Sequence, residues 1–321
     1  MRLKSSTLSR ALLSCAAAMI AVAALGLVLT ACGSSGPSSN SSSSSSASSG
    51  SPNATASGPA GLLPANIKSS GVLHVGSYLA FPPMEFYPTN GNTPIGLDVD
   101  LMNGIGRTLG LTIQWTNMNW DGLRPALQTG RFDCICAAMA DFTDRQKQVT
   151  FVDYMQVGMS LLVLNKNATG ITTPDDLAGK TIAVQKGTFG QTDIGRLNAK
   201  FKAQGLKEMV VQIFPTEASG VLAVQTGRVF GVIEDAPSVA YLAKTAGGGH
   251  TFTAVLPGVM PGFPYGIAVN KSATDLANAI KGALNEMISN GSYGQILSKW
   301  ESSTTAIKQA TINGGTMSSG A

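Results

Sequence analysis

Four segments between residues 81 and 154 hold side chains suited to gripping a small charged solute: FPPMEF (81–86), GLDVDL (96–101), NWDGLRPALQTGRFD (119–133) and DFTDRQKQVTFVDY (141–154). Arg145 offers a planar guanidinium fork, which makes two parallel charge-assisted hydrogen bonds to a carboxylate where lysine cannot. A helix beginning near Thr143 would add backbone N–H donors for the same anion. Phe81 and Trp120 present flat faces in loop contexts. Pro82 and Pro83 stiffen the first loop, and Asp121 with Gly122 opens a helix after the second. Asp235 follows the apolar run FGVIE and directly precedes a helical pattern, where it can cap that helix. Taken singly, Phe81 and Trp120 could be core residues and Arg145 a solvated surface cation. Together they outline a ligand-binding cleft.

The elements that must hold these residues are legible as an alternation of apolar strand-like runs and helical patterns, the mark of an α/β fold. Strands are expected at 72–78, 111–116, 132–138, 160–164, 181–185, 210–214, 229–233 and 266–269. Helices are expected at 99–109, 122–129, 191–201, 218–226, 239–245 and 275–289. Ligands of such folds bind outside the carboxyl ends of the strands, and Phe81, Trp120 and Asp235 all fall there. No repeat of solenoid spacing occurs.

The four ordered segments resemble the polar amino-acid family of extracellular solute-binding proteins (family 3), the capture subunits of ABC importers, over roughly residues 72–300. The resemblance implies a two-lobed, periplasmic-binding-protein-like (Venus flytrap) α/β fold with two crossing hinge strands, at 160–166 and 266–271. Lobe 1 would comprise 62–163 and 265–301, and lobe 2 residues 164–264. It also implies roles. Phe81 and Trp120 sandwich the ligand side chain, Arg145 grips the α-carboxylate, Asp235 accepts the ammonium, and Thr188 in VQKGTFG adds a second carboxylate contact from lobe 2. No cofactor or metal is implied, and the expected state is a monomer with a free amino acid and a membrane permease as partners.

Departures from the family pattern bear on specificity. Ala138, Met139 and Ala140 stand where many members carry a hydroxyl group. Tyr78 replaces an aspartate that helps select basic side chains, and Met84 a common aromatic. Asp141 and Glu234 can restore negative potential, so a basic or polar amino acid is slightly favoured; Asp141 can equally partner Arg145, and Glu234 face solvent. The ligand-binding set is thus Tyr78, Phe81, Trp120, Ala138, Ala140, Asp141, Arg145, Thr188 and Asp235. The expected mechanism is capture by hinge closure, with the zwitterion bridging both lobes.

Other classes remain. Some proteins of this fold are dehydratases or cell-wall lyases, and an acid for catalysis would have to be Glu85, Asp141 or Glu234, since His74 lies within a strand and His250 in a glycine-rich loop. A ligand-sensing receptor subunit is the third reading.

Composition sets the compartment. Apolar residues make up 44% of the 321, enough for a sizeable core, and charged residues only 12%. The formal charge of +4 includes Arg2, Lys4 and Arg10, so loss of those three leaves +1 and no field suited to nucleic acid or other polyanions. Residues 1–31 resemble a bacterial lipoprotein signal, with basic residues, an apolar stretch and Leu-Thr-Ala-Cys ending at Cys32, the expected lipidation site. The stretch alone is also long enough for an uncleaved transmembrane anchor. Residues 32–61 are nearly all Ser, Gly, Pro, Ala, Asn and Thr and read as a flexible tether. The reading is a protein lipid-anchored on the extracellular or periplasmic face. Cys134 and Cys136 sit in an apolar run and read as small buried hydrophobes rather than a strained i,i+2 disulfide or a metal site. The tail, 302–321, is rich in Ser, Thr and Gly and reads as mostly loose, with part of it resting on lobe 1.

Overall fold

The computed structural model describes residues 58–256 and 262–319. The leader, Cys32 and the tether as far as residue 57 lie outside the described residues. The first element among the described residues is a 3₁₀ turn at Pro59–Leu62, where the stretch read as tether (32–61) ends.

Strand and helix then alternate. α1 (Ala65–Ser70) precedes β1 (Val72–Ser77) and a small hairpin of β2 (Ala80–Phe81) and β3 (Glu85–Phe86). Next come α2 (Leu97–Leu109), β4 (Thr112–Asn117), α3 (Trp120–Gln128), β5 (Cys134–Ile135) and β6 (Val149–Val157). A second group follows: β7 (Met159–Leu164), β8 (Thr181–Gln185), α4 (Phe189–Ala203), β9 (Val210–Phe214), α5 (Glu217–Gln225), β10 (Gly231–Asp235), α6 (Ala236–Thr245) and β11 (Phe252–Val255). β12 (Phe263–Asn270), α7 (Thr274–Ser289) and α8 (Ser292–Lys299) complete the first group.

Two five-stranded sheets result, ordered β4-β1-β5-β12-β6 and β11-β7-β10-β8-β9. β1 runs parallel to β4 and β5, and β8 parallel to β9 and β10. Parallel neighbours need helical crossovers, and those helices cover the sheet faces. Inner strands are therefore mostly apolar; all six residues of β7, MSLLVL, are buried.

β6 and β12 lie side by side, Phe263 opposite Val157. The chain leaves the first sheet through Gly158 and enters the second at Met159. The outward crossing thus precedes the stretch 160–166 expected to form it, because SLLVL is an inner strand bonded to β11 and β10 on its two sides. β5 is shorter than the expected run 132–138. Ala138 sits at φ 46°, outside strand geometry, and its N–H turns to the Asp98 carboxylate at 2.8 Å.

Cys134 and Cys136 are buried and unbridged, and burial pushes both thiols up. Among the described residues no helix is long and apolar enough to cross a membrane. The C-terminal residues as far as 319 rest on lobe 1, as expected for part of the tail, and are held there rather than loose. Ile312 bridges Val152, the Asp153 N–H donates to Thr311 O (2.9 Å), and the Phe151 N–H donates to Asn313 Oδ1 (2.8 Å). Backbone and side-chain hydrogen bonds seat this segment on the exposed edge of β6, which a composition poor in large apolar residues does not reveal.

The lobes also meet away from the strand ends. The Phe86 ring is 5.8 Å from Tyr241 of α6 and 6.2 Å from Trp300, and the Ser238 hydroxyl donates to Pro82 O at 2.9 Å.

Candidate functional site

The first wall of the cleft depends on Gly96. At φ 140° its Cβ would stand 2.1 Å from Met84 O, so only glycine allows this approach. The N–H groups of Leu97 and Asp98 then donate to Pro83 O and Met84 O, each at 2.9 Å. The loop 81–86 is thereby stacked on the start of α2, with Glu85 brought beside Asp98. Both are fully buried.

Their surroundings differ. Asp98 accepts hydrogen bonds from the Ala138 N–H (2.8 Å) and from the Tyr154 hydroxyl (2.8 and 2.9 Å). Neither oxygen of Glu85 receives a hydrogen bond from the described residues. Burial, reinforced by the Asp98 charge, holds the Glu85 carboxyl well above the usual carboxylate range.

Arg145 opens a 3₁₀ turn (Arg145–Lys147) and is 4% exposed. Its Nη1 donates to Ala140 O at 3.0 Å and its Nη2 reaches Gly187 O, on the other lobe, at 3.5 Å. Its guanidinium carbon lies 5.0 Å from the Phe142 ring and 5.7 Å from the Trp120 ring. Burial lowers its pKa to about 10, which leaves it charged at neutral pH. Among the described residues no carboxylate forms an ion pair with it.

The second wall is built from helix starts. Thr188 is the N-cap residue of α4 and Asp235 that of α6; α4 begins with N–H groups open to a ligand, whereas in α6 the Ala236 N–H donates to Gly158 O at 2.8 Å and Pro237 has none. The Thr188 hydroxyl donates to Gln185 O at 2.8 Å, which leaves its oxygen as an acceptor. Asp235 caps nothing with its side chain; instead the Tyr265 hydroxyl donates to its Oδ2. Burial raises the Asp235 carboxyl to about 6, against the opposing pull of that hydroxyl and of Arg145. Next to it, Glu234 Oε1 has no partner among the described residues, and burial followed by the Glu217 charge drives its pKa well up.

These groups share one pocket, with about 500 Å³ of free space including solvent at its mouth. Eight of the nine residues expected as ligand contacts line it: Tyr78, Phe81, Trp120, Ala138, Ala140, Arg145, Thr188 and Asp235. Asp141 does not. Its carboxylate is turned away to accept hydrogen bonds from Gln146 Nε2 and the Gly315 N–H, each at 2.8 Å. It therefore neither pairs with Arg145 nor adds a pocket acid, because the docked C-terminal segment claims it. Glu85, Gln185, Phe189, Phe263 and Tyr265 line the pocket without having been singled out as ligand contacts. Glu85 stands within FPPMEF and was legible there as an acid beside an aromatic. Tyr265 lies in an apolar strand that carries no such signal.

A cleft between two α/β lobes, walled by helix starts and holding buried cationic and anionic groups, defines a two-lobed binding protein for a small polar solute. The chain belongs to the bacterial extracellular solute-binding proteins, family 3, which it matches over residues 73–303. It is 26% identical over 253 residues to the arginine-binding protein ArgT of Corynebacterium glutamicum, covering 78% of this chain and 81% of that one. To the L-cystine-binding protein TcyA of Bacillus subtilis it is 28% identical over 236 residues, covering 74% and 83%. Its structure is similar to that of an ancestral arginine-binding protein bound to arginine, with a TM-score of 0.62 and 32% identity over 72% of this chain and 98% of the other.

Proposed function

We propose that this chain is the capture subunit of an ABC importer, binding a free amino acid with a cationic side chain between its lobes. One observation carries the reading: Arg145 from the first lobe and Asp235 from the second line a single pocket with two further acids, Glu85 and Glu234, that have carboxylate oxygens without a donor among the described residues. Arg145 and the N–H groups of α4 suit the α-carboxylate, and Asp235 suits the ammonium. A guanidinium or ammonium side chain supplies the donors that Glu85 and Glu234 lack, since a buried charge is tolerated when paired. Phe81 and Trp120 flank the aliphatic stem. Arginine is what the solved relative holds.

A thermal-shift screen over the free amino acids tests this. Arginine or lysine, at a hundredfold excess over its dissociation constant, should raise the melting temperature by about 5–10 °C. A flat response to all of them would overturn the reading.

Asp235 gives the proposal a pH signature. Its carboxyl must be ionised to hold an ammonium, and without ligand it takes up a proton near pH 6. Below that value binding must expel the proton, so affinity should fall by about tenfold per pH unit. Titration calorimetry from pH 7 to pH 4.5 reads this slope, and the part of it that sets in near pH 6 should vanish in Asp235→Asn.

The anchoring proposal concerns Cys32. Processing there would leave a diacylglyceryl-modified N-terminus, and two acyl chains hold a protein stably where one does not. The folded part would then act as a tethered monomer on the outer face of the membrane. Labelled palmitate should be incorporated in the wild type and lost in Cys32→Ala; equal labelling would remove the anchor.

A cleft enzyme is the competing reading, because a protonated Glu85 or Glu234 has the form of a general acid. Turnover of an arogenate-like or peptidoglycan substrate, lost on substitution of either acid, would favour it.

A further inference from the structure

The segment after residue 309 meets the turn that presents Arg145 at several successive points. The Gly314 N–H and Thr311 hydroxyl donate to Asp153 Oδ2 at 2.9 and 2.7 Å. The Gly315 N–H donates to Asp141 Oδ2, while Gln146 Nε2 bridges Asp141 Oδ1 and Gly315 O, each at 2.8 Å. The Thr143 N–H donates to Met317 O at 2.8 Å. Asp144 then accepts from the Ser318 hydroxyl at 3.0 Å and from the Ser319 N–H and hydroxyl at 2.6 Å each. Residues on both sides of Thr143, up to the one preceding Arg145, are thus held by one C-terminal stretch.

The fit is specific to its residue types. A Cβ on Gly315 would stand 1.8 Å from Asp141 O, and one on Gly314 would stand 2.6 Å from Asp153 Oδ2. Contacts this close are closed to any other residue without rearrangement. The stretch also reaches the second lobe: Arg196 Nη2, on α4, donates to Ser318 O at 2.8 Å. α4 is the helix whose first residues, Thr188 and Phe189, line the pocket. The family match ends at residue 303, so this stretch lies outside the matched residues.

We propose that residues 310–319 form a C-terminal strap that positions Arg145 for the ligand carboxylate and, through Arg196, ties the second lobe to the first when the cleft is closed. The strap rests on the site reading given above for what Arg145 grips. Its two arms act on different rates. Docking on Asp141 and Asp144 sets the guanidinium before the ligand arrives, so it contributes to association. The bond from Arg196 exists only with the lobes together, so it slows dissociation.

The test uses three variants: a chain ending at Gln309, Gly315→Ala and Arg196→Gln. Dissociation constants and rate constants are measured with the amino acid chosen by the thermal-shift screen, and backbone hydrogen exchange is followed over residues 141–146 without ligand. The truncated chain and Gly315→Ala should exchange faster at Thr143 and Gln146 and bind about tenfold or more weakly. Arg196→Gln should release ligand about five- to tenfold faster with an unchanged association rate, and Arg196→Lys should restore most of the difference. Unchanged exchange in the truncated chain, or an unchanged dissociation rate in Arg196→Gln, would overturn the strap. If the truncated chain fails to fold, the Arg196 variants decide the matter. A wild-type protein that binds no amino acid sinks the transport reading alone, since hydrogen exchange still reads the strap.

Discussion

Arg145→Ala should lose at least about a thousandfold in affinity for free amino acids, because the ligand carboxylate would enter a buried site without its counter-charge. The folded protein should barely notice. Arg145 is buried with one short hydrogen bond to Ala140 O and no carboxylate partner among the described residues, so its burial costs stability as much as it contributes. Denaturant unfolding of the ligand-free variant should therefore stay within about 1–2 kcal/mol of wild type, on the scale of one hydrogen bond. Arg145→Lys should recover little, since a point charge cannot hold both oxygens in one plane. Titration calorimetry alongside unfolding separates these effects. Binding that survives Arg145→Ala would remove the guanidinium from the mechanism.

Glu85→Gln should change which amino acid is bound. In the ligand-free protein burial holds the Glu85 carboxyl well above the usual carboxylate range. A guanidinium needs it ionised, so binding should release a proton, and affinity for arginine should rise with pH until Glu85 ionises unaided. The glutamine variant keeps the shape and removes the charge. Arginine and lysine should then bind about a hundredfold or more weakly, with affinity for glutamine changed much less. Calorimetry in buffers of different ionisation heat measures the proton directly. A wild type that releases none, with an arginine affinity untouched by the substitution, would shift the specificity to another acid such as Glu234.

The parts of this site that sequence revealed were those governed by local rules. Trp120 and Thr188 stand at helix starts marked by their neighbours, and the Phe81 loop is stiffened by two prolines. Glu85 was harder, because an acid in a loop is ordinarily solvated. Only the close approach of Gly96 to Met84 O explains why this one is buried. β6 went unread because Asp153 interrupts its apolar run, and the groups that accommodate that charge, Thr311 and Gly314, lie far along the chain. For the same reason the sequence alone puts Asp141 among the pocket residues. Its partner is a glycine N–H in a segment whose composition suggests disorder. Local periodicity cannot report an interaction between backbone donors and a carboxylate separated by 174 positions.

The rings of Phe86, Tyr241 and Trp300 meet outside the solute chamber, so no cargo molecule touches them. Whatever grip they exert is present before loading. A receptor that spends a larger share of its time shut, while still admitting solute, shows tighter apparent retention by the same factor. Retention achieved in this way is indifferent to which amino acid is inside. On the proposed reading, substitutions among these three aromatics change how tightly a solute is retained and leave the acids of the pocket untouched.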